Sequence, residues 1–90
     1  MNKQSQAFLR KLMSAISPSG YEQDAVRLLR EEAGSFAADV RTDVHGNVIA
    51  IRNADAPVRV MLAGHVDQIG LMVQHVDENG MLNVAAIGGI

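Results

Sequence analysis

Apolar residues in the first third of the chain recur every three or four positions. This period predicts two amphipathic helices, over residues 4–16 and 20–33, because a helical turn takes about 3.6 residues. Pro18 lies between them and should end the first helix before it. Ser19 and Glu22 have the S-x-x-E spacing of a capping box, which predicts Ser19 as the residue that caps the second helix.

After Phe36 the period falls to two, and short β-branched runs alternate with turn residues. Two hairpins are predicted, and their strands are residues 40–42 with 48–52 and residues 69–76 with 81–87. Between the hairpins, residues 58–63 form an apolar run that is broken by Arg59, a pattern typical of a strand covered on both faces. The whole pattern predicts an α/β chain, with two helices followed by a mixed β-sheet.

Composition and charge exclude several classes of function. The 90 residues include 8 basic and 10 acidic side chains and three aromatic rings, which argues against a nucleic-acid partner. No apolar run approaches the roughly 18 residues that span a bilayer, so no membrane partner is expected. The absence of cysteine excludes disulfides and thiol chemistry and, with no secretion signal visible, makes the cytoplasm the expected location.

The end of the chain suggests that the sequence is part of a longer protein. A pair of glycines followed by one isoleucine resembles an interrupted turn more than a finished terminus. A chain of this length also buries too little surface to enclose a deep active site. We therefore expect a fragment of a larger domain.

The chemically richest segment contains His65 and Asp67, which follow the apolar run and lie between Gly64 and Gly70. An imidazole and a carboxylate two residues apart face the same side of an extended chain. Asp67 can therefore accept a hydrogen bond from one ring nitrogen of His65 while the other nitrogen binds a metal ion. The spacing alone leaves a structural role for His65 open.

Other polar residues offer weaker candidates for chemistry. Five further side chains of metal-binding type are interpreted as solvated turn residues, because they lie in or beside predicted turns without matched spacing: Asp43, His45, His75, Asp77 and Glu78. Three serines lie on a helix or at its cap, without the strand-to-helix elbow of a hydrolase nucleophile, and are interpreted as structural: Ser14, Ser17 and Ser19.

Four motifs in order along the chain resemble one known family. They are Ser17-Pro18-Ser19-Gly20-Tyr21-Glu22, Thr42-Asp43 with Gly46-Asn47, Ala63-Gly64-His65-Val66-Asp67-Gln68-Ile69-Gly70-Leu71-Met72-Val73, and Ile87-Gly88-Gly89. Together they resemble the N-terminal part of the M42 metallo-aminopeptidases, the glutamyl or deblocking aminopeptidases. The resemblance implies an α/β co-catalytic zinc aminopeptidase domain that removes N-terminal residues from peptides with two divalent metal ions, zinc or cobalt. It also implies dimers that assemble into a dodecamer.

The resemblance further assigns roles to individual residues. It implies that His65 binds one metal ion and that Asp67 is the catalytic carboxylate that orients and polarises it. It implies that residues 1–70 belong to the catalytic domain and that residues 71–90 open an inserted β-rich dimerisation domain. Gln68 departs from the family pattern, which commonly has glutamate there, so a neutral amide replaces a charge. The remaining ligands of the family lie later in a longer chain, so residues 1–90 alone are expected to be inactive.

Two other interpretations remain. The chain could be a truncated, non-catalytic β-rich interaction module whose strand edges pair with a partner. It could also belong to the carboxypeptidase-like branch of the co-catalytic zinc hydrolases, which shares the H-x-D motif. The Ile69-Gly70-Leu71-Met72-Val73 continuation argues against that branch.

Overall fold

The computed structural model describes residues 1–89, which form two helices followed by two β-hairpins. The elements in chain order are α1 (Lys3–Ser14), α2 (Gln23–Gly34), β1 (Asp39–Thr42), β2 (Val48–Ile51), β3 (Gly70–Val76) and β4 (Leu82–Ile87). β1 pairs with β2 and β3 with β4, both antiparallel. The predicted α/β class is confirmed, but a mixed β-sheet is not found among residues 1–89, because the four strands form two separate antiparallel pairs. No helix among residues 1–89 has the length and apolarity needed to cross a membrane.

Helix α1 matches its prediction to within two residues at each end. Asn2 caps it, because its side-chain oxygen accepts a hydrogen bond from the Ser5 amide at 2.8 Å. The helix ends at Ser14, and the Ala15 amide closes the last turn on the Leu12 carbonyl at 3.2 Å.

Helix α2 begins at Gln23, three residues later than predicted, and the predicted capping box is wrong. Glu22 occupies the N-cap position without a side-chain capping bond, and its carboxylate accepts instead from the Gly20 amide at 2.5 Å. Ser19 lies outside the helix, and its hydroxyl donates to Asp67. Gly20 adopts a φ of +91°, a left-handed conformation that glycine tolerates well, and this turns the chain toward α2.

Small side chains form the centre of the packed region. Ala25 is fully buried, Ala33 is 6% exposed, and both lie on α2, which contacts α1 and the β1–β2 hairpin. Because alanine has only a methyl group, these positions let the neighbouring elements approach α2 closely. Around them lie half-buried apolar side chains of α2, namely Val26, Leu28 and Leu29.

The two hairpins share one turn design, which the sequence analysis did not identify. In the first turn, one oxygen of Asp43 accepts from the amides of His45 and Asn47, each at 2.9 Å. In the second, Asp77 accepts in the same way from the amides of Asn79 and Met81, each at 2.9 Å. The glycine three positions after each aspartate has a positive φ, +91° at Gly46 and +80° at Gly80. Both predicted hairpins are confirmed.

The apolar run at residues 58–63 does not form the predicted strand. Within residues 1–89 it pairs with no other strand, and its side chains are largely exposed, with Leu62 at 94%. A strand is stable only when neighbouring strands satisfy its backbone groups and other elements cover its faces. The described chain supplies neither, so the run remains extended and uncovered.

A short parallel bridge joins the two halves of the chain at Pro18 and Gln68. The Gln68 amide donates to the Ser17 carbonyl at 2.8 Å, and the Ser19 amide donates to the Gln68 carbonyl at 3.2 Å. The hydroxyl of Ser17, which is 1% exposed, donates to the Val66 carbonyl at 3.1 Å. The bridge thus holds the segment that contains His65 and Asp67 against the link between α1 and α2.

Candidate functional site

His65 and Asp67 lie in an extended segment between the apolar run and β3. The bridge fixes the end of this segment, and Gly70 follows in close contact with Pro18. A Cβ atom at Gly70 would lie 3.3 Å from Cβ of Pro18, so the absence of a side chain allows this approach. A Cβ atom at Gly64 would meet nothing within 4 Å, so of these two glycines only Gly70 is in close contact with another element.

The two side chains that the sequence analysis selected are in direct contact. Nδ1 of His65 lies 2.9 Å from Oδ1 of Asp67 and 3.2 Å from the Asp67 carbonyl oxygen. A carboxylate and a carbonyl oxygen only accept hydrogen bonds, so Nδ1 carries the proton in this arrangement. The neutral ring then has its lone pair on Nε2. The His65 side chain is 85% exposed, which leaves this nitrogen accessible.

The second oxygen of Asp67 contacts a residue that the sequence analysis interpreted as structural. The Ser19 hydroxyl donates to Oδ2 of Asp67 at 2.6 Å. This bond, followed by the contact with His65, lowers the pKa of the Asp67 carboxyl below its ordinary value, because both donors stabilise the ionised form. The S-x-x-E spacing predicts a capping role for Ser19. No local sequence signal links Ser19 to Asp67, which lies 48 positions away.

An open cleft of about 990 Å³ lies in front of the pair. Its walls come from α1, α2, the β1–β2 hairpin and residues 62–67, and they include His45 and Glu22. The cleft places the exposed edge of His65 where a ligand could reach it. Cavities of this size accommodate small organic ligands or short peptides.

The other side chains of metal-binding type do not form a metal-binding group with the pair among residues 1–89. Across residues 1–89, no three His, Asp or Glu side chains come together in a group that could hold a metal ion. Asp43, His45, Asp77 and Glu78 lie in the two hairpin turns, whereas His75 lies on β3. Within the pair, Nε2 of His65 is therefore the donor available to a metal ion, with Asp67 on the other side of the ring.

Comparisons with known proteins agree on one family. The profile described as M42 glutamyl aminopeptidase matches residues 46–90, half of the chain. A lysyl aminopeptidase from Pyrococcus furiosus is 42% identical over 83 residues, which cover 91% of this chain and 24% of that protein. The putative aminopeptidase FrvX from Escherichia coli K12 is 33% identical over 81 residues, 90% of this chain and 22% of that protein.

A solved structure supports the same relationship at the level of the fold. The crystal structure of the TET aminopeptidase from the marine sediment archaeon Thaumarchaeota archaeon SCGC AB-539-E09 matches with a TM-score of 0.86 and 30% identity. The match covers 97% of this chain and 25% of that one, and the chain spans about a quarter of the length of the curated relatives. On the profile match and these similarities, the chain belongs to the M42 family of glutamyl aminopeptidases.

Proposed function

We propose that the chain forms part of a metal-dependent aminopeptidase, in which His65 binds one of two divalent metal ions, zinc or cobalt. The contact of 2.9 Å between Nδ1 of His65 and Oδ1 of Asp67 carries the proposal. Metal-binding histidines commonly donate their second ring N–H to a carboxylate, which fixes the tautomer and raises the basicity of the ligating nitrogen. Membership of an aminopeptidase family supplies the reaction class.

The residues of the site fit one ligand position of such a centre. His65 would bind through Nε2, and Asp67 would hold the ring in place through Nδ1. Catalytic zinc usually takes three protein ligands, so the remaining ligands would come from outside residues 1–89. When bound, two divalent ions would polarise the scissile carbonyl and activate a water molecule for attack on it.

The chain's own residues contribute orientation and access to this chemistry. Asp67 keeps the proton on Nδ1, so that Nε2 keeps the electron pair that a metal needs. The exposed cleft in front of His65 would admit the N-terminal end of a peptide. Gln68 presents an amide where the family commonly has a carboxylate, so it would add no negative charge beside the metal.

We also propose that residues 1–70 belong to the catalytic domain and that residues 71–90 begin a β-rich dimerisation insert. Strand β3 starts at Gly70, and the β3–β4 hairpin exposes apolar side chains on both of its faces, including Leu71 and Met72. An isolated hairpin of this kind is marginally stable and needs cover from other protein. The dodecameric homo-oligomer that the resemblance implies would provide that cover. We expect this assembly to be located in the cytoplasm.

The proposal is tested on the protein expressed from its complete reading frame and loaded with Zn²⁺ or Co²⁺. We expect metal-dependent release of N-terminal residues from a peptide, and we expect His65→Ala to abolish it and to lower the metal content. His75→Ala is the matched control, because this histidine lies on β3 outside the site, and it should change neither quantity. Turnover that needs no metal, or full metal content after His65→Ala, would contradict the proposal.

A second measurement addresses residues 1–90 alone. We expect this chain to release no N-terminal residues, since one ligand cannot hold two catalytic ions. The intact mass of the protein from its natural source, with the reading frame past Ile90, separates this proposal from the alternative of an interaction module. A frame that continues into further Asp, Glu and His ligands supports the peptidase, and a mass that ends at Ile90 supports the module.

A further inference from the structure

We propose that Ser19 is a positioning residue for the His65–Asp67 pair. Its hydroxyl holds one oxygen of the Asp67 carboxylate, so that the other oxygen faces the His65 ring. This inference rests on the proposed function for its catalytic meaning. Its geometry can be tested on the metal-free chain, without any measurement of activity.

The two contacts of Asp67 form a continuous chain of hydrogen bonds. Ser19 Oγ lies 2.6 Å from Oδ2, and Oδ1 lies 2.9 Å from Nδ1 of His65. The torsion that rotates a carboxylate has a broad, roughly two-fold profile, so one contact leaves its plane poorly defined. Two contacts at opposite oxygens fix that plane. Ser19 therefore determines where the acceptor for the His65 proton lies.

The backbone of Ser19 is itself held next to Asp67. The Ser19 amide donates to the carbonyl of Gln68 at 3.2 Å, and the preceding Pro18 forms the bridge with Gln68. The hydroxyl thus approaches the carboxylate from a fixed point. Asp67 is 40% exposed at its side chain, so water could replace this donor but could not fix its direction.

A helix-capping role does not explain the Ser19 side chain. Helix α2 begins at Gln23 and has no side-chain capping bond, although the sequence around Ser19 has the capping-box form. The one hydrogen bond found for the Ser19 hydroxyl within residues 1–89 goes to Asp67. The Ser19 side chain therefore contacts the candidate site and does not cap the helix.

The test reads the tautomer of His65 by ¹⁵N NMR of the full, metal-free chain at about pH 8, where imidazole side chains are mainly neutral. We expect the Nδ1–H tautomer of His65 to dominate in the unaltered chain. Ser19→Ala should shift the ring nitrogens toward a mixture of tautomers, and Ser19→Thr, which keeps a hydroxyl, should preserve the original signals. Ser14→Ala is the matched control, because Ser14 lies at the end of α1 and makes no contact with Asp67 among the hydrogen bonds of residues 1–89.

Two results would overturn the role of Ser19. One is a His65 tautomer that is the same in Ser19→Ala as in the unaltered chain. The other is an equal loss in Ser14→Ala, which would show that the tautomer responds to any serine-to-alanine change. If Ser19→Ala does not fold, Ser19→Cys takes its place, because a thiol is a weak hydrogen-bond donor. A shift toward mixed His65 tautomers in Ser19→Cys supports the role of Ser19, and an unchanged tautomer overturns it.

The effect of Ser19 on metal binding is measured separately, on the complete protein. Loss of an outer partner of a metal-binding histidine typically lowers metal affinity by roughly 10- to 100-fold, and Ser19 lies one contact further out. We expect Ser19→Ala to weaken Zn²⁺ binding by up to about tenfold, with recovery in Ser19→Thr. A tautomer shift without any Zn²⁺ binding would sustain the role of Ser19 and refute the proposed function. Zn²⁺ binding of equal strength in Ser19→Ala and in the unaltered protein, with an unchanged His65 tautomer, would refute the role of Ser19 and sustain the proposed function.

Discussion

Asp67 uses each of its carboxylate oxygens for a different donor. One oxygen accepts from an imidazole N–H and the other from a hydroxyl. Hydrogen bonds to an ionised acceptor are stronger than those between neutral groups, so both favour the charged form of the residue. The pKa of Asp67 is therefore lowered, first by Ser19 and then by His65.

This order of causes predicts a shift that one substitution should reverse in part. Ser19→Ala should raise the pKa of Asp67 toward the ordinary aspartate value of about 3.9, because the carboxylate loses its larger source of stabilisation. A ¹³C NMR titration of the Asp67 carboxyl measures it directly. Ser14→Ala, a serine at the end of α1, is the control and should leave the titration unchanged. An unmoved midpoint in Ser19→Ala would contradict the attribution.

At this scale, the sequence predicts contacts between neighbours and misses those between distant residues. His65 and Asp67 are two positions apart, so their contact follows from the geometry of an extended chain. Ser19 reaches Asp67 across 48 positions, and only the folded bridge brings them together. A short motif carries no information on such an approach.

Between residue and fold, the two hairpins show how one side chain can define a turn. Asp43 and Asp77 each accept two backbone amides with a single oxygen, and a glycine with positive φ completes each loop. Asp43 also accepts from the side-chain amide of Asn47 at 2.8 Å. The side-chain and backbone amides of Asn47, with a smaller contribution from His45, lower the pKa of Asp43.

The first hairpin should therefore lose stability in acid. A lowered folded-state pKa adds stability above the ordinary aspartate pKa of about 3.9, and this stability disappears as the pH falls through the folded-state value. Asp43→Asn keeps an acceptor for the backbone amides but loses the charge. We expect the unaltered hairpin to be more populated than the variant at neutral pH and the two to converge in acid. NMR shifts of the cross-strand pair Arg41 and Ile49 report the population, and a difference that persists in acid would contradict this origin.

Helix α2 should tolerate little extra volume on its buried face. Ala25 is fully buried, so Ala25→Leu should lower the free energy of unfolding by about 1–3 kcal/mol through overpacking against its neighbours. Urea denaturation followed by circular dichroism measures this change. Ala7→Leu, the same substitution on the exposed side of α1, is the control and should have little effect. Equal midpoints for both variants would show that the α2 face is not packed as described.

Local sequence signals predict an element well where its backbone hydrogen bonds join residues of that same element. The helices and hairpins were predicted because their hydrogen bonds join residues that are close along the chain. The predicted start of α2 is wrong: Ser19 does not cap the helix, and its hydroxyl donates to a distant carboxylate. The predicted strand at residues 58–63 does not form, because an apolar run needs neighbouring strands and residues 1–89 provide none for it.

The molecule as a whole is extended for its length. Its radius of gyration is 17.3 Å and its dimensions are 62 × 31 × 20 Å, whereas a compact chain of this size would have a radius of gyration of about 12 Å. Large apolar side chains remain exposed along residues 58–62 and on the β3–β4 hairpin. Exposed apolar surface of this extent favours association with other protein.

Charge placed in the apolar run should therefore reduce self-association of residues 1–90 without disturbing the elements. Leu62→Lys is the test, because Leu62 is 94% exposed and belongs to neither a helix nor a strand. We expect a lower average mass by light scattering and an unchanged circular dichroism spectrum. Val44→Lys, at a turn position that is 99% exposed, adds the same charge outside the run and should change the mass less. A smaller effect at Leu62 than at Val44 would refute this account.

The bridge between Pro18 and Gln68 also has a kinetic consequence. A two-strand hairpin forms within about 1–10 μs, since its ends are close along the chain. The bridge must close a loop of about 50 residues, and the entropic cost of closure grows with the logarithm of loop length. The helices and hairpins should thus form early during folding, while the contact of Ser19 with Asp67 forms late. We therefore expect the segment that contains His65 and Asp67 to be the last part of the chain to become ordered.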